Sequence, residues 1–257
     1  MSVTDDISEA RGGTSSAGLS ELAQHRSARV RVEVAGNPHA DDQTLLALAG
    51  DAAPVVRLAA AATGRSRAHG TVRALAASPD WRVREVVAGG EAEKTEASTL
   101  PRDVQALLTE DPRWQVRVCI AEHTQHRDLL TRLMADAHLR ARKACALNRR
   151  LEETDLEVLR ADRNGEVRAW VSWSSGLRGW RKSREQWLRE AQDRSADVRW
   201  TALNHGDVPR WVVETLADDP DETVRTHAQQ RSQQGLSRLR TPGTPFPAAA
   251  PEAPADP

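Results

Sequence analysis

Tyrosine is absent from this 257-residue chain, phenylalanine occurs once (Phe246) and lysine three times (Lys94, Lys143, Lys182). With abundant alanine and arginine, this is the usage a GC-rich bacterial genome produces, and it speaks to source rather than function. There are two cysteines, Cys119 and Cys145, too few for a disulfide framework or a Cys-x-x-Cys metal motif. The first residues, MSVTDDISEARGGTSS, carry neither a basic segment nor an apolar one, so no signal peptide is expected. No apolar run reaches the ~18 residues a membrane span needs. A cytoplasmic protein with reduced thiols is the simplest expectation. Thirty-six basic side chains face 37 acidic ones, a balance that argues against a strongly basic nucleic-acid binder as the default. Gly-rich phosphate loops, the Gly-x-Ser-x-Gly elbow and His-Glu-x-x-His are all missing, so the chain is read as non-enzymatic and without a cofactor.

What is present is a recurring dipeptide. Val-Arg occurs at Arg31, Arg57, Arg84, Arg117, Arg168, Arg199 and Arg225, with Ala141-Arg142 filling the one gap. The steps between these arginines are 26, 27, 33, 25, 26, 31 and 26 residues, a spacing that marks a repeat array. One residue before each arginine is Val (or Ala141), and three after it is Val34, Ala60, Val87, Ile120, Cys145, Val171, Ala202 or Ala228. These positions are four apart and share one helix face. The next position is small in Ala35, Ala61, Ala88, Ala121, Ala146 and Ser172, which lets helices approach closely. A turn follows, shown best by Asn37-Pro38, with Asn148 and His205 in the Asn37 place. A second apolar pair then recurs: Leu45/Leu48, Val72/Leu75, Val104/Leu107, Leu130/Leu133, Leu156/Leu159 and Val213/Leu216. Two short helical pieces per unit, one of them α or 3₁₀, account for this. Neither is stable alone, so stacking must bury the stripes.

Six residues before the arginine there is usually an acid: Asp51, Asp111, Asp136, Asp162, Asp193 or Asp219, with His25 and Ser78 as exceptions. Such an acid can cap the Val-Arg helix or pair with an arginine of the same or the next unit. Repeated along the stack, Arg57, Arg117, Arg168, Arg199 and Arg225 with Asp51, Asp111, Asp162, Asp193 and Asp219 would form a structural ladder.

The segment VRVEVAGNP followed by LLALAGD resembles the leucine-rich repeat variant family, a HEAT-like bacterial repeat. The resemblance covers about residues 18–232 and is weaker in later units. It implies an all-α solenoid of about eight 24–27-residue repeats in a right-handed superhelix. One member of that family carries an N-terminal iron–sulfur cluster on cysteines, and this chain has no cysteine before Cys119, so the cluster is not carried over. The expected organisation is a disordered segment at 1–17, the repeat domain at 18–232 and a disordered Pro/Ala-rich tail at 233–257.

The two long steps place extra residues at Gly89–Pro101 and Ser174–Gln186. Insertions in repeat arrays map to loops, often on a binding face. Six of the eight tryptophans lie between Trp170 and Trp211, and a second basic cluster (Arg140, Arg142, Lys143, Arg149, Arg150) precedes them. The candidate binding residues are Trp173, Arg178, Trp180, Arg181, Lys182, Arg184 and Trp187. Cations beside aromatic faces suit a protein partner or single-stranded nucleic acid; the bland reading is a solvated face over packed rings. The leading function is a scaffold that binds protein through its groove and insertion loops. The alternatives are nucleic-acid binding by the basic, Trp-rich second half and, less favoured, a HEAT-like DNA glycosylase. Cys119, His123 and His126 have helical spacing, but His123 falls at the turn, so a packed Cys and a turn His are preferred to a metal site.

Overall fold

The computed structural model describes residues 3–13, 15–89 and 100–234. Among them the only regular elements are α-helices, 17 in number. They fall into two compact units, residues 1–150 and 151–257.

In the first unit, one layer contains α1 (Val3–Gly12), α3 (Ala28–Gly36), α5 (Pro54–Gly64), α7 (Trp81–Ala88), α9 (Trp114–His123) and α11 (Leu139–Cys145), each packed on the next. A second layer holds α2 (Ser16–Leu22), α4 (Asp42–Leu48), α6 (His69–Ala76), α8 (Arg102–Thr109) and α10 (Arg127–Met134). The second unit opens with α12 (Glu153–Arg160). It then stacks α13 (Gly165–Leu177), α15 (Ala196–Leu203) and α17 (Glu222–Gln234) in one layer, with α14 (Arg184–Ala191) and α16 (Arg210–Leu216) in the other. Each unit is thus an α-solenoid-type stack.

Local chemistry starts these helices. The carboxylate of Asp41 accepts from the Thr44 amide, Pro54 opens α5, and Ser183 with Gln186 forms a reciprocal capping box on α14. Glycine opens α13 because a Cβ on Gly165 would lie 2.5 Å from Ser195, so this close helix approach excludes any other residue. The valine before each arginine is at most 2% exposed, from Val30 to Val224. Burying each contributes about 1.5–3 kcal/mol, which helices this short need in order to persist.

The conserved geometry of the arginines is a relay between neighbouring repeats. Nη1 of each arginine donates to the carbonyl six residues earlier: Arg57 to Asp51, Arg117 to Asp111, Arg142 to Asp136, Arg168 to Asp162, Arg199 to Asp193 and Arg225 to Asp219, at 2.5–2.8 Å. The rest of the guanidinium grips the acid of the following repeat. Arg31 holds Asp51, Arg84 holds Asp111, Arg117 holds Asp136, Arg168 holds Asp193 and Arg199 holds Asp219, each through Nε and Nη2. The same carboxylates accept from the backbone amide two residues on, as in Ala53, Arg113 and Ser195. The acid therefore pins a turn before the helix and pairs with the preceding repeat, instead of capping the helix end. Where Ser78 replaces the acid, Asp80 supplies the carboxylate and Arg57 Nε reaches it at 2.7 Å.

A second tie runs through the turn. Asn37 Nδ2 donates to the carbonyls of Ala10 and Gly13, and Asn148 Nδ2 to those of Ala121 and Thr124. At the equivalent place in α17, Arg231 donates to the carbonyls of Leu203 and His205.

Two expectations change. Residues 3–12, read as disordered, form α1, whose Ala10 is fully buried beneath the Asn37 tie. Val3, Ile7 and Ala10 keep helical spacing here, a signal too short to mark a helix without the Val-Arg pair. In α8 the buried positions are Val104 and Leu108, with Gln105 in the place of Leu45, while Leu107 is 41% exposed. Gln105 Nε2 donates to the Leu100 carbonyl, which offsets part of the cost of a polar side chain there. The first insertion lies almost wholly outside the described residues, and so does the tail expected at 233–257.

Candidate functional site

Two successive repeats of the second unit carry polar residues at positions that are mostly apolar elsewhere. Three residues before the ladder acid the chain has Leu48, Leu75, Leu108, Leu133, Leu159 and Leu216, but here Glu190. The residue after the Val-Arg helix stripe is Ala in five repeats, Ser172 here, and Leu203 and Gln229 in the last two. The position that is Ala49, Ala76, Thr109, Met134, Ala191 and Ala217 elsewhere is Arg160, one repeat before Glu190. The inserted segment then brings in Lys182.

These groups are joined. Lys182 Nζ donates to Glu190 Oε2 at 2.6 Å and to Ser172 Oγ at 2.8 Å, and Ser172 Oγ donates to Glu190 Oε2 at 2.8 Å. The Lys182 side chain is 1% exposed. Burial holds its ammonium below the usual lysine range, opposed by Glu190. The ammonium also sits 4.6 Å from the Trp187 ring centroid. Trp187, 4% exposed, packs edge-on against His205 with centroids 5.1 Å apart. Burial lowers His205 to about 4, with Lys182 adding to the effect, so its ring is neutral at pH 7. Because Nδ1 accepts from the Asp207 amide, the proton belongs on Nε2. That Nε2 lies over Gly176, where a Cβ would approach it to 3.1 Å. The insertion thus lengthens α13 past the usual turn and folds back on it.

Beside the cluster is a cavity of about 150 Å³. Arg160, Arg168, Glu190 and Asp193 form its more buried wall, and Glu157 and Arg189, both about half exposed, its mouth. Glu157 Oε1 accepts from Arg160 Nη1 at 2.7 Å and from Gln186 Nε2 at 3.0 Å. Arg189 approaches the other oxygen at 3.6 Å. Burial raises the Glu157 carboxyl, but Gln186 and the two guanidiniums outweigh it and hold the group below its usual range. Arg160 Nε and Glu190 Oε1 are buried and have no hydrogen-bond partner among the described residues.

The seven candidates chosen from the sequence therefore do not form one patch. Lys182 and Trp187 belong to the interior, where they hold the insertion, and this corrects their reading as surface groups. Arg181 and Arg184 are exposed; Arg184 lies over Trp211, its guanidinium carbon 5.2 Å from the ring centroid. Arg178 is half-buried and covers Trp180 at 4.8 Å. Trp173 stacks on Trp170 at 4.8 Å. Glu190, Ser172, Arg160 and His205 were missed, although each stands where the repeat has an apolar, small or Asn residue.

The first unit carries a row that the composition of the second half obscured. Arg82 and Arg113 both lie over Trp81, at 4.9 and 5.8 Å. Arg140 lies over Trp114 at 4.9 Å, and His138 stacks on the same indole at 4.5 Å with planes 2° apart. Trp81 and Trp114 hold the same position, three residues before the ladder arginine, in consecutive repeats. Of the second basic cluster, Arg142 is buried in the ladder and Arg150 reaches Gln125.

No protein-family model matches the chain, and no curated protein sequence matches it. Among solved structures it is similar to a leucine-rich repeat variant protein described as having a novel repetitive structural motif. That match has 24% identity and a TM-score of 0.60, covering 84% of this chain and 81% of that one. A second is YibA of Escherichia coli, with 16% identity and a TM-score of 0.48, covering 91% and 98%. The first similarity establishes a leucine-rich-repeat-variant-like fold. Among the described residues no helix is long and apolar enough to cross a membrane.

Proposed function

We propose that this chain is a non-enzymatic repeat scaffold that binds a protein partner, with the half-buried tryptophans and their covering arginines as anchors. One observation carries the reading. The ladder absorbs the recurrent arginines into holding repeats together, whereas Arg82, Arg113 and Arg140 lie on the indoles of Trp81 and Trp114, the first residues of the neighbouring helices α7 and α9. Tryptophan and arginine are the residues that most often dominate protein–protein energetics. A cation over an indole also offers a flat, low-entropy contact for acidic or aromatic groups. Near-neutral net charge favours a protein partner over nucleic acid, whose binding rests on phosphate neutralisation.

The test is capture by the purified chain immobilised beside its Trp81→Ala/Trp114→Ala variant. A partner retained after nuclease treatment, and lost with the double variant, supports the reading. Material that nuclease removes, or whose recovery collapses between 50 and about 200 mM salt, moves the assignment to nucleic acid. Equal capture by both chains removes these tryptophans from the interface.

A further inference from the structure

The tryptophan-bearing edge of the first unit carries a charge pattern that the near-neutral composition hides. Each Val-Arg helix opens on a turn that runs from six to two residues before its ladder arginine. In the first unit these turns are 25–29, 51–55, 78–82, 111–115 and 136–140. Their carboxylates, Asp51, Asp80, Asp111 and Asp136, are all held by ladder arginines of the preceding repeat. Their other arginines, Arg26, Arg29, Arg82, Arg113 and Arg140, are exposed and stand outside the ladder. Arg26, Arg29, Arg82 and Arg113 enter no ion pair among the described residues. The ladder thus uses up the acids of this edge and leaves its cations. The turns form one row, because Arg113 reaches back to the Trp81 indole and Arg140 to the Trp114 indole. The turn at 51–55 adds Pro54 and Val55, the latter 56% exposed. In the second unit the same positions hold Arg163 and Arg194 against Glu166, Asp197, Asp221 and Glu222, with no aromatic ring.

We infer, resting on the scaffold reading above, that this row docks an acidic, extended segment of the partner protein, with carboxylates spaced about three residues apart. Packed helices lie about 8–10 Å apart, and an extended chain advances about 3.3 Å per residue. About three residues of the segment therefore match each repeat, and the five turns take about a dozen. Planar guanidinium forks match carboxylate geometry, and the residues between the acids meet Val55, Trp81 and Trp114. The cations are spaced too widely for a nucleic acid, which in a duplex carries one charge per about 1.7 Å of axis. They are also confined to five turns, which fits a short segment rather than a long polyanion.

The experiment uses the full chain and two fluorescein-labelled dodecapeptide pools, one with Glu at every third position and one with Gln there, both mixed elsewhere, beside a single-stranded DNA dodecamer. Anisotropy reads the affinity. The Glu pool is expected to bind at least about tenfold tighter than the Gln pool, and more weakly as salt rises from about 50 to about 300 mM. An exposed charge pair is worth roughly 1.5- to 5-fold in affinity. The triple variant Arg29→Ala, Arg82→Ala, Arg113→Ala should therefore weaken the Glu pool on the order of tenfold. All three side chains are exposed and outside the ladder, so thermal unfolding should not change. Arg163→Ala with Arg194→Ala, in the turns of the second unit, should leave binding as it is. Equal binding of the two pools, tighter binding of the DNA, or an equal loss with the second-unit pair would overturn the acidic segment. So would concentration-dependent self-association that the triple variant loses, which would seat a second copy's acidic turns on the row. A nuclease-resistant partner captured through Trp81 and Trp114, yet not displaced by excess Glu pool, would leave the scaffold in place and overturn the acidic segment alone.

Discussion

Replacing Asp51 by alanine tests the idea that the arginine relay, rather than helix propensity, couples neighbouring repeats. Asp51 takes two hydrogen bonds from Arg31, at 2.6 and 2.9 Å, and one from the Ala53 amide at 2.7 Å. The side chains are 16% and 10% exposed, so the pair is largely desolvated. Breaking a fully buried pair costs about 3–5 kcal/mol, because the remaining charge stays buried. Arg31 Nη1 still holds the His25 carbonyl, and residual exposure screens the orphaned cation. Loss of the turn hydrogen bond adds about 1 kcal/mol. The expected destabilisation is therefore about 2–4 kcal/mol. In a stack where each repeat touches only its neighbours, it should appear as early opening of the repeats around α3 and α5. Urea unfolding and native-state hydrogen exchange measure both. Pairing Asp51→Ala with Arg31→Met gives a double-mutant cycle with an expected coupling of about 1.5 kcal/mol or more. A coupling below about 0.5 kcal/mol, or amide protection unchanged in α3 and α5, would refute the argument.

Acid should attack the same ladder. The Arg31 hydrogen bonds are the largest influence on Asp51 and hold it below the ordinary carboxylate value of 3.8; Asp80, Asp136 and Asp219 are lowered too, because their arginine and backbone partners outweigh burial. A lowered folded pKa means stability that is full above the unfolded value and lost as pH falls through the folded one. Cooperative unfolding is therefore expected below about pH 4, and a chain equally stable at pH 2 and pH 7 by circular dichroism would contradict it. His205 acts at higher pH by the same sign: with the folded group near 4 and the unfolded one at 6.5, its contribution is complete above pH 6.5 and lost as pH falls toward 4. That window is worth at most about 3 kcal/mol. His205→Asn, the residue at the equivalent turns of Asn37 and Asn148, should flatten stability between pH 4 and 6.5; an unchanged slope would assign it to other groups. Finally, Lys182→Met alone should destabilise by about 3–5 kcal/mol by stranding Glu190. The triple change Ser172→Ala, Lys182→Met, Glu190→Leu should restore or exceed native stability; a triple variant as unstable as the single would show that the polar cluster is needed for folding.

The repeat was legible because its period is carried by residues whose roles are physical and local: a valine that must be buried, an arginine that must reach two partners, an acid that must pin a turn. α1 was not legible because it contributes a packing face and two carbonyls to Asn37 without the Val-Arg pair that marks the other repeats. The α8 register slipped by one residue because Leu107 looked like the apolar partner, while Gln105 could occupy a core place only by bonding to Leu100, a contact the pattern does not reveal.

The site was harder for a related reason. Composition drew attention to the basic, tryptophan-rich insertion, where charge and aromatic content are highest. Yet Lys182 and Trp187 are interior, and the insertion serves to place an ammonium against Glu190. The informative signal lay in the alignment of the repeats: a glutamate under the leucine column, an arginine under the alanine column, a serine under the next alanine column. In a solenoid each column states what the stack requires, so Glu190, in a column filled by Leu48, Leu75, Leu108, Leu133, Leu159 and Leu216, is a side chain that answers to something besides stacking. Arg160 and Glu190, one repeat apart, line one cavity, and Ser172 bonds to Glu190.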